Sequence, residues 1–150
     1  MGTPAGLNAA EVDALSKLDS LDSTKAGELR ETVSNSYFDR NGFASLDGKC
    51  GAGNCFDGVY IKGNQVIINE VKPLQANGSI KLSGGNKSTD LKTQMSDEWI
   101  KSRIDQLLKS GDPAKVQTGN LILQSSRSGN LTTVVSGVNR NGMVIVKVKA

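Results

Sequence analysis

The architecture of the chain can be predicted from residues 56–73, FDGVYIKGNQVIINEVKP. Its apolar residues are mostly β-branched and flank Gly63-Asn64, a pattern that predicts two short antiparallel strands. Glycine at the first central position suits a two-residue type II′ turn. The predicted hairpin nevertheless carries charged residues at its open end, namely Asp57, Glu70 and Lys72.

This turn fixes a register in which Asp57 lies opposite Glu70. Because side chains alternate between the faces of a strand, these two residues share one face with Val59 and Ile68, and Lys72 joins them. Two opposed carboxylates repel each other, and a divalent cation removes that repulsion. The hairpin therefore predicts a metal site on Asp57 and Glu70, with Lys72 able to orient a water or steady phosphate charge.

The bulk composition is that of one globular domain, with 37% hydrophobic and 22% charged residues in 150. No apolar run approaches the length of a membrane-spanning helix, and the N-terminus lacks the basic and apolar regions of a signal peptide. We expect residues 1–150 to form a single domain, in which residues 1–22 are an N-terminal helical extension and residues 23–150 are the core.

Charge is distributed unevenly along the chain. Residues 1–72 carry 7 Lys and Arg against 10 Asp and Glu, a balance of −3, whereas residues 73–150 carry 11 against 5, a balance of +6. A basic half beside an acidic cluster fits a polyanionic partner, although a solvated surface would also account for it.

The chain contains no histidine. Enzymes that use a histidine base, a Ser-His or Cys-His pair, or histidine-ligated zinc are therefore excluded. Catalysis would have to rest on carboxylates, Lys, Tyr, Ser, Cys or a hard metal ion. The two cysteines, Cys50 and Cys55, flank a glycine-rich spacer and form either a disulfide or two free thiols.

Hydrophobic periodicity predicts an α/β (α+β) fold around one mixed sheet flanked by helices. Asn8 and Glu11 fit a capping box, and Asp22 or Ser23 fits the cap of the next helix. Ser96 caps a later helix that Gly111 and Pro113 end. The predicted helices cover residues 9–20, 24–38 and from 96 onward. The predicted strands are FASL (43–46), the two strands of the hairpin, 120–124, 131–138 and 143–149. Residues 74–93 are predicted to form a long basic loop.

Asp57 followed on the next strand by Glu70-Val71-Lys72 resembles the signature of the PD-(D/E)xK nuclease superfamily. The family core, αβββαβ, is similar to the predicted order from about residue 24 to 124, with extra C-terminal strands beyond it. The resemblance implies that Asp57, Glu70 and the backbone carbonyl of Val71 bind the metal. It also implies an acid on the first core helix, where Glu28 and Glu31 both stand and Glu31 is favoured.

The segment TQMSDEWIKSRI, residues 93–104, resembles nuclease toxin modules of polymorphic and contact-dependent growth inhibition systems. By this resemblance Gln94 faces the catalytic site and Trp99 packs the helix on the sheet. Phosphate contacts supply most nonspecific affinity for nucleic acid. The expected nucleic-acid-binding residues are Lys81, Lys87, Lys92 and Arg103.

The sequence thus predicts a nuclease toxin that uses Mg²⁺ or Mn²⁺ rather than Zn²⁺ and hydrolyses DNA, which is favoured over tRNA by a small margin. It would be secreted within a larger toxin, act in the target-cell cytoplasm and be neutralised by an acidic immunity protein. The alternatives are a tRNA-cleaving toxin of the same fold, a non-catalytic nucleic-acid-binding or adaptor module, and a structural domain whose hairpin charges face solvent.

Overall fold

A computed structural model of the chain describes residues 2–50, 55–80 and 95–148. Its helices and strands are β1 (Thr3–Pro4), α1 (Ala9–Leu15), a 3₁₀ turn (Leu18–Ser20), α2 (Ser23–Arg40), β2 (Ala44–Leu46), β3 (Gly58–Lys62), β4 (Gln65–Pro73), α3 (Asp97–Leu108), α4 (Pro113–Arg127), β5 (Leu131–Asn139) and β6 (Gly142–Lys147).

The described strands form one mixed sheet in the order β1-β6-β5-β4-β3-β2. β4 and β5 are parallel and the other neighbours are antiparallel. Because parallel strands need a long crossover, the chain passes from β4 through α3 and α4 before it returns as β5. The prediction of an α+β fold with a mixed sheet flanked by helices is confirmed.

Helix α2 covers one face of the sheet. It begins where the Asp22 side chain accepts a hydrogen bond from the Lys25 amide, which satisfies one of the free amides of the first turn. Its buried residues Val33 and Phe38 pack toward the sheet, and the Phe38 ring stacks on Tyr60 with centroids 4.6 Å apart. These contacts hold α2 over the strands of the hairpin.

Helices α3 and α4 cover the opposite face. Trp99 is buried and meets Phe56 edge to face at 5.6 Å, so the predicted packing of this helix on the sheet is confirmed. Ile104 and Ile122 join the same apolar cluster, which also contains Ile68 of β4. The hairpin is thereby buried on both sides, as expected for a central pair of strands.

The predicted strand at residues 120–124 is wrong, since these residues lie within α4. Asp112 caps this helix through a hydrogen bond from the Ala114 amide, and Pro113 occupies its first turn. The buried face consists of Thr118, Gly119, Ile122 and Ser125, which recur at helical spacing. Three of these four residues are small or polar, so they give no apolar helical period in the sequence. The apolar run Leu121-Ile122-Leu123 instead has the pattern of a buried strand.

Other boundaries differ by a few residues. The first predicted helix, 9–20, is interrupted after Leu15 and continues as the 3₁₀ turn. The predicted loop 74–93 begins with a tight turn, because Leu74 pairs with Ile80 and Gly78 adopts a positive φ of 84°. The remainder of that loop, from residue 81 onward, lies outside the described residues.

Glu11 attaches the N-terminal extension to α2. Its carboxylate completes the capping box with Asn8 and also accepts hydrogen bonds from Ser36 at 2.6 Å and from Arg40 at 2.7 Å. The side chain is 3% exposed, so the ion pair is well shielded on the acidic side. The Arg40 guanidinium, opposed in part by burial, lowers the pKa of Glu11 from 4.5 to about 2.

Replacing Glu11 by Gln should destabilise the protein by about 2 kcal/mol at neutral pH, because charge-assisted hydrogen bonds to Arg40 are lost. The lowered pKa adds stability above pH 4.5, and that contribution disappears as the pH falls toward 2. Urea denaturation at pH 7 and pH 3 measures the difference. Asp13→Asn, on the exposed side of the same helix, is the matched control, and equal stability of the two variants at pH 7 would contradict the expectation.

Candidate active site

The register of the hairpin is the one that the turn predicts. Val59 lies opposite Ile68 and Gly58 lies opposite Asn69, which is the last pair of the ladder. Gly63 adopts a φ of 61°, a conformation that glycine provides without strain. Asp57 precedes Gly58 and Glu70 follows Asn69, so extending this register by one residue places Asp57 opposite Glu70.

Asp57 is held across the end of the hairpin by the backbone of β4. Its Oδ2 accepts a hydrogen bond of 2.9 Å from the amide of Val71. The side chain is 24% exposed, so it lies at the boundary between the core and solvent. Oδ1 does not take part in this bond and lies 3.8 Å from Nζ of Lys49.

Glu70 is the buried member of the pair, with 3% exposure. Burial, together with the hydrogen bond and the negative charge of Asp57, raises its pKa to about 9. The positive charge of Lys72 and a hydrogen bond from the Asp57 backbone act in the opposite direction. Two carboxylates in contact therefore share less than two negative charges at neutral pH.

Lys72 follows two residues after Glu70 on the same face of β4, at a half-buried position. It pairs in the parallel register with Gly137 of β5. A side chain at position 137 would collide with Ile80, whose Cδ1 lies 2.5 Å from the place of a Cβ. The missing side chain of Gly137 therefore makes room for Ile80 on this face of the sheet.

The two candidate acids of α2 have different surroundings in the structure. Glu31 accepts a hydrogen bond of 3.0 Å from Lys49, whose Nζ also lies 3.8 Å from Oδ1 of Asp57. Glu28 is exposed, and the described residues give its side chain no contact with Asp57 or Glu70. Glu31 is thus the acid of this helix that extends toward the hairpin.

Sequence reasoning missed Lys49. It belongs to the triplet Asp47-Gly48-Lys49, which has the spacing of the nuclease signature but lies in a loop. The neighbouring residue Cys50 forms a disulfide with Cys55, with Cα atoms 5.3 Å apart. Since this disulfide joins the segments that carry Lys49 and Asp57, the Cys50-Cys55 pair was the available signal.

A buried polar cluster supports the hairpin on the α2 face. Asn69 donates to Ser34 at 2.9 Å and accepts from Ser136 at 2.7 Å, and all three side chains are fully buried. The Tyr60 hydroxyl donates to Asn35. These residues were also missed; a polar Asn69 between Ile68 and Glu70, in an otherwise apolar strand, was the sequence signal.

Tyr60 connects this cluster to the acids. Burial raises its pKa to about 12, and the negative charges of Glu31 and Asp57 contribute to the same shift. Its hydroxyl lies over Gly58, where an added Cβ would stand 2.5 Å from the oxygen. Tyr60 therefore stays a neutral hydrogen-bond donor beside the acids at ordinary pH.

A cleft of about 180 Å³ opens beside these residues and is lined by Asn35, Lys49, Asp57 and Tyr60 among others. At about 30 Å³ for each water molecule, it accommodates several waters. A larger apolar cleft of about 900 Å³ lies between α3, α4 and β5, and none of the candidate residues that the structure describes lines it.

The other predicted site residues lie elsewhere or outside the described residues. Arg103 lies on α3, where its guanidinium stacks 5.0 Å from the Trp99 ring centroid. The described contacts of Arg103 do not include Asp57, Glu70 or Lys72. The predictions for four further residues fall outside the described part of the chain: Lys81, Lys87, Lys92 and Gln94.

The donor set fits a hard divalent cation. Within residues 2–50, 55–80 and 95–148, no three acidic, histidine or cysteine side chains converge as a metal site. The oxygens available are those of Asp57 and Glu70, and a bound cation would relieve their repulsion. Mg²⁺ and Mn²⁺ accept such a small set because waters and phosphate complete their shells. Zinc lacks a sulfur ligand here, since both cysteines are bonded to each other.

Val71 is the third expected ligand. Its amide points to Asp57, and in a strand the amide and carbonyl of one residue point to the same side. Its side chain packs on the opposite face, in the cluster that contains Val138 and Met143. Coordination by the Val71 carbonyl stays a prediction.

No protein-family model, curated protein or solved structure matches the chain significantly. In the described part of the chain, no helix combines the length and apolarity needed to cross a membrane. Function is therefore inferred from the geometry of the hairpin.

The raised pKa of Glu70 predicts a stability that falls with pH. Between pH 4.5 and 9 the folded protein holds a proton on Glu70 that the unfolded chain has released, so the free energy of unfolding decreases as the pH rises. In EDTA, Glu70→Gln should remove this decrease and be more stable than the parent by about 1–3 kcal/mol at pH 8.

Urea denaturation at pH 5, 6.5 and 8 measures the slope. Glu28→Gln removes an exposed carboxylate from α2 and is the matched control. Parallel pH profiles for the Glu70 variant and the parent protein would be evidence against the shift.

Proposed function

We propose that this chain is a metal-dependent nuclease that hydrolyses phosphodiester bonds of nucleic acid. The observation that carries the proposal is the contact between Asp57 and buried Glu70 at the end of the hairpin, with Lys72 on the same face. The order α2-β2-β3-β4-α3-β5, interrupted by α4, agrees with the core that the resemblance implies. Burial of a carboxylate against a second one costs stability, and a site that must bind a cation accounts for that cost.

Each residue has a distinct task in this proposal. Asp57 and Glu70 hold the cation, and the Val71 amide fixes the orientation of Asp57. A bound divalent cation supplies Lewis acidity toward an attacking water and the scissile phosphate. Lys72 presents an ammonium group that donates to the water or to a phosphate oxygen. Glu31 lies at the edge of the site, where it accepts a proton from, or orients, a second water.

DNA is the favoured substrate by a small margin. All six aromatic residues are described, and none of them is exposed. Stacking of unpaired bases on aromatic rings is a common way to bind single strands, and this surface lacks it. Binding through the phosphates of a duplex suits the balance of +6 in residues 73–150. Cleavage of tRNA in place of DNA is the competing possibility, and the nuclease assay described below distinguishes the two.

The proposed context is a toxin module released from a larger secreted protein and acting in the cytoplasm of a competing cell. The support for it is the resemblance of residues 93–104 and the basic C-terminal half. An acidic immunity protein that covers the positive surface would be the partner in the producing cell.

The decisive assay incubates the full chain with plasmid DNA and with total tRNA, in Mg²⁺, in Mn²⁺ and in EDTA. Glu70→Gln removes a ligand of the cation and Lys72→Gln removes a positive charge beside the phosphate, so each should lower the cleavage rate by about a hundredfold or more. Lys62→Gln, at the far end of the same hairpin, should cleave like the parent.

Absence of cleavage of either nucleic acid in the presence of metal would overturn the nuclease proposal in favour of a binding or adaptor module. Cleavage that survives both site substitutions would place the active site elsewhere.

The two acids of α2 provide a second test. Glu31→Gln should lower the cleavage rate by about tenfold, the lower end of the effect of residues that orient a metal site. Glu28→Gln changes the same side chain one turn earlier and should leave the rate unchanged. Rates measured at saturating Mg²⁺ separate the two, and a larger loss in Glu28→Gln would reverse the assignment.

A further inference from the structure

Lys49 lies between two carboxylates that come from different parts of the fold. Its Nζ is 3.0 Å from Oε1 of Glu31 on α2 and 3.8 Å from Oδ1 of Asp57 before β3. The three side chains are 47%, 33% and 24% exposed, respectively, so ions from solvent have access to them. The ammonium group therefore lies within ion-pair distance of two carboxylates.

The loop that carries Lys49 is fixed on both sides. Before it, Asp47 accepts hydrogen bonds from Lys115 of α4 at 2.9 Å with both carboxylate oxygens. After it, Cys50 is bonded to Cys55. With its neighbours fixed, Lys49 loses little further backbone freedom when it pairs with Glu31 and Asp57, which favours a persistent contact.

The contact involves the carboxylate through which Asp57 would bind a cation. Oδ2 of Asp57 is occupied by the Val71 amide, and Lys49 lies next to the remaining oxygen, Oδ1. An ammonium group and a divalent cation that approach the same carboxylate repel each other strongly at such distances. Binding of one therefore disfavours binding of the other.

We propose that Lys49 is the internal counter-ion of Glu31 and Asp57 and that it sets the affinity of the site for its divalent cation by competition. This inference rests on the proposed function, because it assumes that Asp57 binds the cation. Lys49 acts as a positioning residue. It holds the acids together without metal and yields Oδ1 when metal binds.

The test is calorimetric titration of the full chain with Mn²⁺ and with Mg²⁺. Lys49→Gln should bind about tenfold more tightly than the parent, since a competing charge is removed near the cation. Lys49→Arg keeps the charge and should bind like the parent. Lys62→Gln makes the same change in net charge about 17 Å away along β3, at about 3.4 Å per residue, and should also bind like the parent.

Unchanged or weaker binding by Lys49→Gln, in a parent protein that binds the cation, overturns the role of Lys49 and leaves the nuclease proposal intact. Absence of binding in every variant overturns the metal site, and the inference falls with it.

A second measurement uses the unaltered protein, in case Lys49→Gln does not fold. Mg²⁺ is added to ¹⁵N-lysine-labelled protein, and the Lys49 Nζ signal is assigned by its absence from Lys49→Arg. The signal should shift with the same midpoint as metal binding. A Lys49 signal that stays fixed while metal binds overturns the competition.

Discussion

The contact between Asp57 and Glu70 depends on one constraint, the register of β3 against β4. Side chains change face at every residue of a strand, so a slip of one residue would send Asp57 to the α2 face and leave Glu70 alone. The register is held at one end by the turn at Gly63 and along its length by apolar pairs such as Val59 with Ile68. The apolar packing that stabilises the hairpin is thus the same packing that brings the two acids together.

The two faces of the hairpin serve different purposes. On the face covered by α3 and α4, an apolar cluster is followed by the charged residues at the open end of the hairpin. The face covered by α2 contains the buried hydrogen bonds of Ser34, Asn69 and Ser136. Buried hydrogen bonds are directional, so they fix how a helix lies over a sheet more sharply than apolar contacts do. In this fold they set the distance from α2 to the strands, and with it the reach of Glu31.

Much of this arrangement could be predicted from the sequence because it depends on short-range rules. The alternation of the hairpin and the turn at Gly63 were sufficient to pair Asp57 with Glu70. Helix α4 could not be found in the same way, since its buried face uses Thr118, Gly119 and Ser125 in place of large apolar residues. Lys49 was missed for a different reason, because its partners come from α2 and from the far side of a disulfide. The proximity of Lys49 to α2 is set by tertiary packing, and only the Cys50-Cys55 pair indicates in the sequence that Lys49 lies near Asp57.

Gly58 has a consequence for the divergence of this sequence. No side chain fits there while Tyr60 keeps its place, because the hydroxyl of Tyr60 occupies the volume of the missing Cβ. An alanine at position 58 would have to arise together with a smaller residue at position 60, and that second change would remove the hydrogen bond to Asn35 on α2. The two positions are therefore expected to change in concert over evolution. In relatives that retain the tyrosine, the residue after the first acid should be glycine.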